Sequence, residues 1–276
     1  MQNTVALGTF DGLHKGHLSV LDIPDGYNKI ALIFNIPPKC IKKDSVELLL
    51  TPEKKIKMLE KLSYDVKTLD FSEVEHLSPN EFLEYIKKEF NPAIVSCGFN
   101  YRFGFEGKGD AELLAEFCGE NNIALKIANP VTEDGEIVSS SVIRKALRDG
   151  DIEKVNRLLG YDFSFTSPII KGDGRGKALG FPTINQAYPE VLCKPKFGVY
   201  KTEVLIESKV YKGVTDIGNR PTYPIDFVIS ETFIKDFDGD LYGKELKVTL
   251  KEFIRSEKKF SSKEELIIQI KKDIGE

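Results

Sequence analysis

Short apolar runs alternate with amphipathic stretches over the first 160 residues. Runs at 4–10, 28–34, 64–71, 92–97 and 123–128 have strand length. The stretches between them carry helix signals. Thr51 stands where a cap belongs, with Pro52 at the first helical position. Ser78 and Glu81 have capping-box spacing, and Phe82, Ile86 and Phe90 fall on one helical face. This alternation predicts a parallel sheet covered by helices, a Rossmann-like α/β domain that takes ligands outside the carboxyl ends of its strands.

The rhythm changes after Gly160. Strand-like runs at 162–171, 198–206, 209–218, 227–234 and 244–254 follow one another with short polar or glycine-containing breaks. One helix is predicted near Ser262, with Glu265 at capping-box spacing and Leu266, Ile267 and Ile270 buried. Consecutive strands with one terminal helix predict an antiparallel barrel. The chain therefore divides into domains 1–160 and 161–276.

Composition narrows the partners. A net charge of −4 argues against a nucleic-acid-binding face, which needs a basic surface, and leaves small anions open. The four cysteines, Cys40, Cys97, Cys118 and Cys193, are too sparse for a disulfide framework and form no C-x-x-C pair, so a reducing cytoplasm is expected. No run approaches the roughly twenty apolar residues of a membrane span. The first residues lack the basic leader and apolar run of a signal peptide. A monomer is expected.

Candidate chemistry begins directly after the first strand, in the stretch from Gly8 to His17. Gly8, Gly12 and Gly16 let the backbone approach a ligand, and Phe10 lies among them. His14 and His17 share one helical face at a helix start, where free N–H groups favour anions. Paired imidazoles at that position suit stabilisation of phosphate charge during nucleotidyl transfer. A zinc site is disfavoured, because no third ligand lies nearby and H-E-x-x-H is absent. A structural role for both histidines is the alternative. Ser139, Ser140 and Ser141 offer cap oxygens at a later helix start, with Arg144 projecting from its first turn.

The second half carries a glycine-rich basic loop, 171–180, followed by Pro182-Thr183-Ile184-Asn185. It is not a Walker A loop, since Ala178 follows Lys177. Thr183 and Asn185 alternate along an extended chain and so face one side. A hydroxyl and an amide oxygen beside a phosphate loop suit Mg²⁺. Glu231 is a candidate base for attack on a γ-phosphate, or else a solvent-facing strand residue. Asp236, Asp238 and Asp240 lack a glutamate at the twelfth loop position, so they read as a hairpin turn rather than a calcium loop.

The stretch from Gly8 to His17 resembles the H-x-G-H nucleotidylyltransferase superfamily, and the bacterial FAD synthetase family in particular. Gly98-Phe99-Asn100-Tyr101-Arg102-Phe103-Gly104 and the Ser139–Arg144 segment are similar to further motifs of that family. In the second half, the glycine loop with Pro-Thr-x-Asn, then Phe197–Tyr200, Ile217–Thr222 and Asp236–Gly243, resembles riboflavin kinase, whose fold is a six-stranded antiparallel barrel.

The resemblance implies a bifunctional enzyme that uses riboflavin, FMN and ATP with Mg²⁺ and yields FAD. It implies that His14, His17 and Arg144 serve adenylyl transfer, and that Gly8, Phe10, Gly12, Gly16 and Ser139–Ser141 line the ATP phosphates. Asn100, Arg102 and Arg255 are implied on the flavin side. In the kinase half it implies that Gly174, Arg175 and Gly176 lie against phosphate, that Thr183 and Asn185 hold the metal with ATP, and that Glu231 is the base.

One departure stands out. Many family members carry Phe-x-Pro-His-Pro after the second strand, and here Phe34-Asn35-Ile36-Pro37-Pro38 lacks that histidine. Three other readings follow from the residues: a kinase with a degenerate first module, a flavin-sensing regulator, and a cytidylyltransferase that leaves the second half unexplained.

Overall fold

The computed structural model describes residues 1–38, 46–172, 176, 179–219 and 228–275. By internal contacts the chain forms two compact units, Met1–Ser140 and Ser141–Glu276.

The first unit is a five-stranded parallel sheet in the order β3-β2-β1-β4-β5. Its strands are β1 (Asn3–Leu7), β2 (Asn28–Phe34), β3 (Asp65–Leu69), β4 (Pro92–Gly98) and β5 (Ala124–Ala128). Every apolar run expected in this half forms one of them. Helices α1 (Lys15–Leu21), α2 (Pro52–Lys61), α3 (Phe71–Val74), α4 (Pro79–Phe90) and α5 (Ala111–Glu120) make the crossovers.

The caps form as the sequence predicts. Thr51 accepts the N–H of Lys54 ahead of α2. Ser78 and Glu81 close a reciprocal box ahead of α4. Phe82, Leu83 and Ile86 of α4 are buried against Leu7, Val95 and Leu114. The chain leaves β1 for β2 on one side and later returns to β4 on the other. That reversal opens a crevice at the carboxyl ends of β1 and β4, where doubly wound sheets bind ligands. A short hairpin, β6 (Thr132–Glu133) and β7 (Glu136–Ile137), turns through Asp134 and Gly135, both at positive φ.

In the second unit a closed antiparallel barrel runs β10-β11-β12-β9-β8-β13. Its strands are β8 (Ser164–Ile170), β9 (Thr183–Ala187), β10 (Gly198–Ile206), β11 (Lys209–Asn219), β12 (Val228–Ile234) and β13 (Glu245–Arg255). The helices α6 (Ser140–Asp149) and α7 (Ile152–Leu159) precede it; Asn156 of α7 donates to Leu250 O and accepts from Phe163 N.

The barrel interior is partly polar. Thr202, Thr215 and Thr232 are buried and hydroxyl-bonded in a row across three strands, 2.9 Å at each step. Thr215, in the middle, can donate to one neighbour and accept from the other.

The terminal helix α8 (Lys263–Asp273) starts at Ser262 as expected, with Ser262 accepting from Glu265 N. Its expected buried face is a correction: Leu266, Ile267 and Ile270 are only half-buried, and the buried side chain is Asp273. The reason is an ion pair. Asp273 receives Arg255 Nη2 at 2.7 Å and Nε at 3.0 Å, so the polar residue turns inward.

Thr215→Val keeps the side-chain volume and strands the hydroxyls of Thr202 and Thr232, which should destabilise the barrel by about 1–3 kcal/mol. Amide hydrogen exchange should quicken in β10–β12 and stay unchanged in β1–β5. Equal exchange throughout would show that the ladder contributes nothing.

Candidate functional site

The first site grows from the end of β1. Residues Val5, Ala6 and Leu7 are buried, and the chain then turns through Phe10, Gly12 and Leu13 at φ of 47°, 87° and 37°. Two non-glycine residues in left-handed backbone are unfavourable unless their surroundings hold them. Here Phe10 and Leu13 are fully buried, and Asp11 Oδ1 accepts Leu49 N at 2.8 Å. Ser140 Oγ donates to Asp11 O at 2.8 Å, which ties Ser140 to the same turn.

The turn delivers His14 as the N-cap of α1, with His17 one turn on. Their imidazoles stack at 3.7 Å between centroids and 20° between planes. Phe10 meets His17 edge-on at 5.4 Å. Gly16 makes room for this: a Cβ there would lie 3.2 Å from the His14 ring and 3.2 Å from Val138 O.

His17 is held well below the ordinary imidazole value of 6.5, by desolvation first and then by the charges of His14 and Lys55. Its Nδ1 is buried with no hydrogen-bond partner among the described residues. A folded imidazole that resists its proton loses ground as pH falls below 6.5, because only the unfolded chain then gains one.

The other residues expected here are distributed around the sheet ends. Asn100 follows β4, and a Cβ on Gly98 would stand 3.6 Å from its Oδ1. Arg102 is exposed and pairs with Asp110 at 3.1 Å. Gly8 and Gly12 lie in the turn, Ser139 and Ser140 at the end of the first unit. Ser141 and Arg144 are the second and fifth residues of α6, counted with the second unit; Arg144 is partly buried. Lys15 reaches Glu133 of the β6–β7 hairpin at 2.9 Å.

Strand register builds the second site. Asn185 of β9 lies directly opposite Glu231 of β12, and Glu231 lies opposite Asp216 of β11. Thr183, two residues before Asn185, shares its face. Thr232 and Thr215 occupy the barrel interior, which puts Glu231 and Asp216 on the outer side.

Two described glycines of the loop, Gly172 and Gly176, pack onto this row. A Cβ on Gly172 would collide with the Asn185 amide, and one on Gly176 would come within 3.1 Å of Thr183 Oγ1. Main chain therefore lies directly on the two oxygen-bearing side chains. Gly174 and Arg175 fall outside the described residues, as do Cys40 and Arg220–Thr222. The stretch with Asp236, Asp238 and Asp240 is the β12–β13 turn, where Asp240 Oδ1 accepts Tyr242 N at 3.0 Å.

Two residues here were not singled out by the sequence. Asp216 is exposed as a residue, yet its carboxyl is raised to about 6, by desolvation first and then by Glu257, with Arg255 acting the other way. Lys55 is 2% exposed at the carboxyl ends of β1 and β2. Strand pairing revealed the first and burial the second, and neither carries a motif. Arg255 ends β13, clamped by Asp273 and 5.7 Å from the Phe260 ring.

Comparison with known proteins matches one family model to each half of the chain. Residues 1–142 match the family model for FAD synthetase, and residues 159–276 match that for riboflavin kinase. The chain belongs to the bifunctional riboflavin kinase/FMN adenylyltransferase family.

Relatives of that name from Listeria monocytogenes and Bacillus subtilis are each 32% identical over 99% of this chain and 90% of theirs. One from Escherichia coli is 30% identical over 98% of this chain and 90% of its own. A crystal structure described as a macrolide-efflux protein from Streptococcus pneumoniae superposes with a TM-score of 0.90, at 29% identity, over 99% of this chain and 93% of that one. Among the described residues of this family member, no helix is long and apolar enough to cross a membrane.

Gly172→Ala should push the loop off Asn185 and reduce FMN formation from riboflavin at least tenfold, roughly the effect of an ångström-scale misplacement. FMN conversion to FAD should be unaffected. Unchanged phosphorylation would mean that the close approach has no part in the site.

Proposed function

We propose that the second unit phosphorylates riboflavin to FMN with Mg²⁺ and ATP, and that the first adenylylates FMN to FAD with release of pyrophosphate. The observation that carries this reading is the pairing of two dissimilar phosphate-handling arrangements in one chain. One is a stacked imidazole pair at a sheet's topological reversal; the other is a carboxylate in register with an amide beside a glycine loop. The functional division is taken at Gly160, giving modules 1–160 and 161–276.

In the kinase half, Glu231 accepts the proton of the ribityl 5′-hydroxyl as its oxygen attacks the γ-phosphorus, and the bond from that phosphorus to the β–γ bridging oxygen breaks to release ADP. Thr183 and Asn185 offer neutral oxygen donors, which fit a hard cation carried in with ATP. When bound, Mg²⁺ neutralises charge on the phosphates; the chain's own part is to orient the hydroxyl and take its proton. Gly174, Arg175 and Gly176 cradle the phosphates, and Arg255, fixed by Asp273, faces the flavin side.

In the adenylyl-transfer half, His14 and His17 steady the charge that builds on the α-phosphate, with Arg144 and the Ser139–Ser141 helix start on the remaining oxygens. Gly8, Phe10, Gly12 and Gly16 shape the nucleotide side, and Asn100 and Arg102 the flavin side. The partners are small molecules rather than nucleic acid, the chain acts as a monomer, and the compartment is the cytoplasm. A kinase with an inactive first module is the second reading, favoured only by the absence of histidine from Phe34–Pro38.

Supplying riboflavin, ATP and Mg²⁺ and separating the flavins by chromatography tests the whole reading; neither FMN nor FAD would end it. Glu231→Gln should lower FMN formation by about a hundredfold or more while FMN still becomes FAD, and His17→Ala should do the reverse. Loss of both reactions in either variant would contradict independent sites.

A further inference from the structure

The side chain of Lys55 enters the first unit from α2 and is buried beneath the sheet ends. Its ammonium donates to Thr9 O at 3.2 Å, Phe34 O at 2.5 Å and Asn35 O at 3.4 Å. Those three bonds match the three N–H groups of an ammonium.

The acceptors are informative. Thr9 opens the strained turn that carries His14 and His17. Phe34 ends β2, and Asn35 continues into the segment that lacks the family's histidine. All three carbonyls lie at or just beyond the carboxyl ends of β1 and β2, the end of the sheet where a doubly wound fold takes its ligand. Left bare, they would repel the phosphates of a nucleotide.

We propose that Lys55 is a positioning residue for adenylyl transfer. It locks the turn bearing His14 and His17 to the 34–38 segment, and its fixed positive charge screens the strand-end carbonyls and stands behind the histidine pair. This rests on the reading of that pair as the adenylyl-transfer site.

The electrostatics run the same way. Burial lowers the Lys55 ammonium to about 8, with Asp11 pulling it back up. It therefore stays mainly charged near neutral pH. That charge, with His14, opposes protonation of His17. Asp11, in the same turn, acts on Lys55, and Lys15 of α1 is paired with Glu133 of β6. A neutral substitute at position 55 would free the three carbonyls and let His17 take a proton at higher pH.

The test compares Lys55→Gln with Lys55→Arg in the full chain, following pyrophosphate release from FMN and ATP between acid and neutral pH. Lys55→Gln should cut the adenylyl-transfer kcat about tenfold or more, as misplacement of a catalytic turn does, with riboflavin phosphorylation held within about twofold. Its acid limb should move to higher pH, while Lys55→Arg, still charged, keeps the limb of the parent whatever its rate.

An acid limb that stays put in Lys55→Gln, or that moves equally in both variants, overturns the proposal. Should either variant fail to fold, nitrogen-15 NMR titration of His17 in the unaltered protein decides. A midpoint below 6.5 is expected, and one at or above it refutes the charge argument. His17→Ala separates the two failures. If it leaves pyrophosphate release intact, the histidine assignment falls. If it abolishes release while Lys55→Gln behaves as the parent, only the role of Lys55 falls.

Discussion

In both proposed sites main chain lies so close to a candidate side chain that an added Cβ would crowd it. Gly16 leaves the space in which the His14 and His17 rings stack, and Gly172 lies flat on the Asn185 amide. Phosphates are bound largely by backbone N–H groups and small oriented dipoles, so a site for them begins with backbone that can come near. The surrounding structure maintains this approach at some expense. In the first unit, buried Phe10 and Leu13 are held at positive φ. In the second, a polar threonine ladder replaces part of an apolar barrel core.

The two frameworks solve the positioning problem differently. The parallel sheet presents strand ends, and its site is a turn whose geometry must be fastened from outside. Asp11, Ser140 and Lys55 do that by hydrogen bonds to Leu49 N, Asp11 O and the strand-end carbonyls. The barrel presents a strand face, where register alone sets Asp216, Glu231 and Asn185 in a row. A one-residue slip of any of the three strands would turn its own member of the row inward. The interior bonds of Thr215 and Thr232 resist that slip, because each belongs to the residue next to a member of the row.

Much of this was readable from residue order. The capping signals at Thr51, Ser78 and Ser262 mark real helix starts because they satisfy orphan N–H groups within three residues. The apolar runs became strands because their spacing matched one sheet or the other. What stayed hidden was non-local. No local pattern says that Asp216 faces Glu231, since that pairing joins strands through a loop. Lys55 reads as one more surface lysine on a charged helix until its burial is seen. The half-buried face of α8 was misjudged for a similar reason: the Arg255–Asp273 pair, eighteen positions apart, fixes how the helix lies.

The central claim is that one chain holds two separate nucleotide sites. Equilibrium dialysis against a non-hydrolysable ATP analogue with Mg²⁺ tests it most directly. The account predicts two analogue molecules bound per chain, falling to one in Gly16→Ala and to one in Gly172→Ala. A single molecule bound per chain, abolished by either substitution, would contradict it.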